Sequence, residues 1–177
     1  MLVLAGSDIV RHIFVALFLE ILLCVRDGVL KRGNQMASDK KYAGDVSPAE
    51  AWDLLAADES CVLVDVRTDA EWNYVGLPNL ESIGKETVCI SWLNFPGNTP
   101  NESFTDQVRA AGIGPEQTVL LLCRSGQRSI AAAVALTEEG YGKAFNILEG
   151  FEGDKDRDSR RGLLGGWKLG ALPWTQN

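Results

Sequence analysis

Apolar positions along this chain fall into short blocks separated by amphipathic stretches. Four blocks are nearly continuous: CVLVDV (61–66), TVCISW (87–92), TVLLLC (118–123) and KAFNIL (143–148). Runs of this length, rich in β-branched and aliphatic residues, are expected of strands covered on both faces. The stretches between them carry helix signals. In SPAEAWDLLAA, Ser47 precedes Pro48 and stands three residues before Glu50, a capping box that opens a helix. Thr68 and Glu71 repeat that spacing in TDAEW and predict a second, short helix. ESFTDQVRAAG predicts a third, capped by Asn101 and closed by Gly112. SIAAAVALTEEG predicts an Ala-rich fourth that ends at Gly140, its alanines packing on a sheet. FPGNTPN and the polar residues 152–166 read as loops. Strands alternating with helices imply an α/β fold with parallel strands, right-handed crossovers and helices on both faces. In such a sheet, ligands sit beyond the carboxyl ends of the strands.

The first 35 residues break this pattern. IFVALFLEILLCV (13–25) is shorter than the roughly 20 apolar residues of a bilayer span and carries Glu20 near its middle. It lacks a small-residue cleavage site of the A-x-A kind. Three readings stay open: a dispensable extension before a domain starting near Met36, a weakly membrane-associating helix, or a secretion signal. The expected organisation is therefore an apolar extension, 1–35, and one domain, 36–177, with its core at about 45–174.

Charge and cysteine usage narrow the classes further. Of the 177 residues, 17 are basic and 24 acidic, a formal net charge of −7, and no run of Lys or Arg exceeds two. Nucleic-acid binding needs clustered cations, so it is not expected. The four cysteines, Cys24, Cys61, Cys89 and Cys123, are scattered with no CxxC pair, and His12 is the only histidine. This pattern excludes a His/Cys zinc site, predicts no metal or cofactor and fits a reducing, cytoplasmic setting. Membrane association is expected only if residues 13–25 provide it. Cys61 and Cys89, each inside an apolar block, read as core thiols, and Trp52, at helical spacing, reads as core.

Cys123 is different. VLLLCRSGQRS (119–129) delivers it from a strand into a Gly-containing turn that opens a helix. Two arginines and a glycine make poor core, so the loop reads as a site. No nearby histidine can act as base, and acyl transfer is disfavoured for want of an acid to protonate a leaving amine. A thiolate must instead be stabilised by the loop itself. Backbone N–H groups at the helix N-terminus, the cations Arg124 and Arg128, the hydroxyls of Ser125 and Ser129 and the curvature allowed by Gly126 would do this. Such a loop suits sulfur or phosphate anions. Four residues separate Cys123 from Arg128, one fewer than in cysteine phosphatases, and no Asp-bearing loop offers a general acid.

CRSGQRS, together with the upstream LVDVRTDAEW and the closing EGFEGD…GWKLGALPW, resembles the rhodanese-like domain family over about residues 45–174. The resemblance implies a parallel five-stranded sheet wound by helices on both sides. It also implies sulfurtransferase chemistry. Cys123 would accept a sulfane sulfur from an anionic donor such as thiosulfate and pass it, as a persulfide, to a thiol or cyanide-like acceptor. Arg124, Ser125, Gly126, Gln127, Arg128 and Ser129 would then form the substrate cradle, and Asp65 and Arg67 a supporting pair. VGLPNLES (75–82) departs from the family's usual G-H-I-P-G-A after Glu71, since Gly76 stands before Leu77 where a His is common, which bears on substrate preference. A protein-fed sulfur relay or sensing module is the alternative, with the charged loop 152–161 as a docking surface. A phosphatase or arsenate reductase is a more distant one. Trp72, Trp92 and Phe151 are candidates for the pocket walls.

Overall fold

Five parallel strands form the centre of the structure, a computed structural model that describes residues 41–176. In chain order, the strands of this sheet are β1 (Gly44–Val46), β2 (Val62–Asp65), β4 (Thr87–Cys89), β7 (Val119–Leu122) and β8 (Ala144–Ile147). Their spatial order is β1-β8-β7-β2-β4, so the two most apolar strands, β7 and β2, lie inside. Two short antiparallel ribbons accompany the sheet. One pairs β3 (Leu77–Pro78) with β9 (Trp174–Thr175), the other β5 (Leu93–Asn94) with β6 (Thr99–Pro100). Residues 1–35, with the apolar run 13–25 and Cys24, lie outside the described residues. Among the described residues no helix is long and apolar enough to cross a membrane.

Helices cover both faces, as the alternation predicts. The helices are α1 (Pro48–Ala57), α2 (Asp69–Val75), α3 (Phe104–Ala110) and α4 (Gln127–Glu138). On one face, Phe104 and Val108 of α3 and Ala132, Ala133 and Leu136 of α4 pack on Val64, Val66, Val119 and Leu121. On the other, Ala51 and Leu55 of α1 join Phe151 and Trp167 over Leu63, Leu120, Leu122 and Ile147. The alternation of side chains along β2 and β7 divides the strands between two cores. Both predicted capping boxes form: Ser47 with Glu50, and Thr68 with Glu71.

Several expectations change in detail. TVCISW pairs only through Cys89, and that residue is exposed on the edge strand rather than buried. The core reading therefore holds for Cys61, whose thiol burial pushes up to about 11, and fails for Cys89. Trp52 is half-buried, edge-on to Trp167 at 6.0 Å. The helix after the FPGNTPN loop starts later than expected, with Ser103 at its cap. Asn101 instead accepts the Ser103 N–H through Oδ1 and donates through Nδ2 to the Ser91 carbonyl and to Gln107. It ties the loop to the helix without capping it.

Candidate active site

β7 ends at Leu122, and Cys123 begins the turn into α4 with 1% of its surface exposed. Gly126 occupies the cap position of α4 at φ +87°, a left-handed conformation that a β-carbon would strain. Its N–H donates to Cys123 Sγ at 3.1 Å, so the sulfur sits on the N-terminal end of a twelve-residue helix. Ser129, in the first turn of that helix and fully buried, places Oγ 3.2 Å from Sγ.

The loop backbone is held from behind by residues 149–153. Phe151 N–H donates to the Cys123 carbonyl at 2.8 Å and Glu152 N–H to the Arg124 carbonyl at 3.0 Å. Peptide units are planar and trans, so the N–H groups of Arg124 and Ser125 turn away from this segment. Gly150 makes the contact possible. Its φ is +60°, and a β-carbon there would collide with the backbone of Cys123, Arg124 and Ser125.

Arg128 does not stand alone at the mouth. Its guanidinium donates to both Glu71 oxygens, at 2.8 and 2.6 Å, and the pair is about four-fifths buried. Glu71 also accepts from Thr68 through its capping box. Burial by itself would raise the Glu71 carboxyl, but the Arg128 fork and charge and the Thr68 donors outweigh it and hold the group at about 2. Burial would likewise lower the Arg128 guanidinium; its bonds and charge pairing with Glu71 raise it instead. Beside this pair lies a cleft of about 520 Å³ lined by Thr68, Ala70, Glu71, Val75, Leu93, Phe95, Asn98, Arg124 and Arg128. Arg124 is exposed there, and so is Phe95. Gln127 points to solvent, and Ser125 is half-buried.

Asp65 and Arg67 lie at the carboxyl end of β2, beside Cys123, both fully buried. Arg67 Nη2 donates to Asp65 Oδ2 at 2.6 Å and to the Gly76 carbonyl at 2.7 Å, while Nε bridges both carboxylate oxygens. The guanidinium carbon stacks 4.1 Å over the Phe151 ring. Phe151 thus belongs to the support of the loop. Neither it, Trp72 nor Trp92 lines the cleft, whose apolar wall is Val75, Leu93 and Phe95; Trp92 packs edge-on against Phe104.

Three residues near the loop escape the motif. Glu71 is fully accounted for by its helix cap, and its partner lies 57 residues away. Glu149, at φ +63°, accepts the Gly166 N–H at 2.8 Å and anchors the backing segment. Asn146 is the one sequence reasoning could find: a polar residue in the middle of a buried strand. Its Oδ1 lies 2.6 Å from Ser129 Oγ, and its Nδ2 donates to Asp45 at 2.9 Å.

The family model described as the STR4 middle domain matches residues 43–177 of this chain. The crystal structure of Rv0390 from M. tuberculosis is similar over 77% of this chain and 99% of its own, with 43% identity and a TM-score of 0.70. An uncharacterized protein of Rickettsia conorii is 35% identical over 131 residues, 73% of this chain and 95% of that protein. The chloroplastic rhodanese-like domain-containing protein 4 of Arabidopsis thaliana is 26% identical over 137 residues, covering 77% of this chain and 26% of that protein.

Proposed function

Since the chain belongs to the rhodanese-like family, a family of sulfurtransferases, we propose that Cys123 carries a sulfane sulfur as a persulfide between an anionic donor and a thiophilic acceptor. The observation that carries this reading is the Gly126 N–H aimed at Sγ from the start of α4. A helix N-terminus and inward backbone donors favour negative charge on that sulfur without a histidine.

With thiosulfate as donor, the Cys123 thiolate attacks the outer sulfur. A new S–S bond forms, the donor's S–S bond breaks, and sulfite leaves with the bonding pair. An acceptor thiolate then attacks the outer sulfur of the persulfide and regenerates the Cys123 thiolate. Splitting one transfer into two displacements is the advantage of covalent catalysis. Arg124, exposed at the cleft, attracts the anionic donor. Arg128 acts through its bond to Glu71, which fixes the first turn of α4 against α2. The described cysteines are free thiols, which supports a reducing, cytoplasmic setting.

A second reading has its own observation. The cleft is larger than a small inorganic anion needs, and Val75, Leu93 and Phe95 give it an apolar side. That wall suits a persulfide borne on an organic or protein thiol, as in a sulfur relay.

Intact mass before and after incubation with thiosulfate tests the persulfide, with Cys123→Ser as control. A gain of one sulfur atom, reversed by reductant and absent in the control, is expected. The same gain in Cys123→Ser would overturn the assignment. A gain only with an organic persulfide would move the reading to the relay.

A further inference from the structure

A line of hydrogen bonds leaves the Cys123 sulfur toward β8 and β1, and the transfer steps above do not use it. It runs from Sγ to Ser129 Oγ (3.2 Å), to Asn146 Oδ1 (2.6 Å), and from Asn146 Nδ2 to Asp45 Oδ1 (2.9 Å). The Tyr42 hydroxyl donates to that same Asp45 oxygen at 2.8 Å. Ser129 and Asn146 are buried, at 0% and 1% exposure.

The line has a direction. An ionised carboxylate only accepts, so Asp45 demands the amide nitrogen of Asn146 and turns its oxygen toward Ser129. That oxygen also only accepts. The single hydroxyl proton of Ser129 is therefore drawn to the 2.6 Å contact with Asn146, since two bare acceptors at that distance would repel. What Ser129 then offers the sulfur is a lone pair. A lone pair accepts from S–H and repels a thiolate. Tyr42 reinforces the arrangement: burial and then its bond to Asp45 push its phenol up to about 12, so it stays a donor to the carboxylate.

We propose that Asp45 and Asn146 are positioning residues that set the direction of the Ser129 hydroxyl, drawing its O–H to Asn146 and turning a lone pair toward the Cys123 sulfur. On ionisation the S–H proton passes to solvent, and the Ser129 O–H rotates from Asn146 to the sulfur. Only the S–H bond breaks. The line thereby opposes the Gly126 N–H and the helix terminus, which favour the anion.

The test is the pH dependence of iodoacetamide alkylation at Cys123, read peptide by peptide in the full chain so that other cysteines do not contribute. The charged groups on the elements around the loop include Asp45 on β1, Asp65 and Arg67 at β2, Glu71 on α2, Arg124 and Arg128 in and after the loop, and Glu149 and Glu152 beyond β8. Asn146→Leu leaves all of these in place. It releases the Ser129 proton toward the sulfur, and a hydrogen bond to a charged acceptor supports about a tenfold gain in reactive thiolate at fixed pH. The half-point of alkylation should fall by about one pH unit. Adding Ser129→Ala should erase that gain, making the double variant match Ser129→Ala alone.

An unmoved curve in Asn146→Leu, or an equal shift without Ser129, would overturn the proposal. If Asn146→Leu does not fold, Asp45→Asn serves. A neutral amide at position 45 lets Asn146 turn over but also removes a charge, so the half-point should fall further with Ser129 present than in the Asp45→Asn, Ser129→Ala double variant, each measured from its own parent; equal falls sink the idea. Alkylation needs no sulfur donor, so the outcome does not depend on whether Cys123 transfers sulfur.

Discussion

Arg128 and Glu71, 57 residues apart, share two hydrogen bonds of 2.8 and 2.6 Å that join the first turn of α4 to the first turn of α2. The arginine thereby braces two helices beside the cleft. Its planar fork matches a carboxylate in a way a lysine ammonium cannot.

The linkage sign follows from the depressed Glu71 carboxyl. Its folded value of about 2 lies below its ordinary 4.5, so its contribution is complete above about pH 4.5. It is lost as the pH falls from there to about 2. Glu71→Gln should therefore lower stability at pH 7 by about 2–3 kcal/mol, and its urea-unfolding curve should converge with the parent's across that window. Parallel pH profiles would show that the carboxylate contributes no net charge stabilisation.

Asp65 and Arg67 make a different prediction, because both are fully buried. Removing one partner leaves an uncompensated interior charge, at about 3–5 kcal/mol. Arg67→Leu also strips a donor from the Gly76 carbonyl. Its urea midpoint should fall well below that of the parent. A joint replacement of both residues by apolar ones should recover part of the loss.

Gly150→Ala should damage the loop itself. At φ +60° alanine is strained, and its methyl would meet the backbone of Cys123 through Ser125. A stability loss of about 2 kcal/mol or more is expected, with persulfide formation reduced at least tenfold in the protein that still folds. Sulfur loading at the parental rate would show that the backing segment does not shape the nucleophile.

Phe95 lies in the loop joining β5 to β6, 60% exposed, and lines the cleft. Phe95→Ala should change stability by no more than about 0.5 kcal/mol. It should raise KM for an organic persulfide while leaving thiosulfate kinetics nearly unchanged. Equal effects on both donors would exclude an apolar contact to the donor's organic part.

Much of this architecture can be read from the chain because local signals agree with the final packing. β2, β7 and β8 fall inside their apolar blocks, and the two capping boxes form where Ser47 and Thr68 place them. β1 is invisible by the same logic: Gly44–Val46 is three residues long, holds an aspartate and becomes a strand only by pairing with β8. The β5–β6 ribbon escapes because just two residues pair on each side, with Pro96 between and Pro100 in the pairing. At the site, Cys123 and its loop announce themselves through a strand, a glycine and two arginines. Glu71 does not, since its cap explains it completely and its second role depends on a contact the chain order hides. Cys89 misleads for a simpler reason, because an apolar block says nothing about which strand lies at the edge.

The backing segment 149–153 has one further consequence. By engaging the carbonyls of Cys123 and Arg124, it shapes the nucleophile's surroundings out of main chain, using atoms every residue possesses. Side chains of the loop that face outward, Arg124 and Gln127 among them, are then free to vary without dismantling the receptor for the sulfur. A saturation library selected for folding should find those positions permissive and Gly150, some twenty-five residues downstream, intolerant. On the proposed function, choice of donor would be adjustable in one place and the setting of the Cys123 sulfur safeguarded in another.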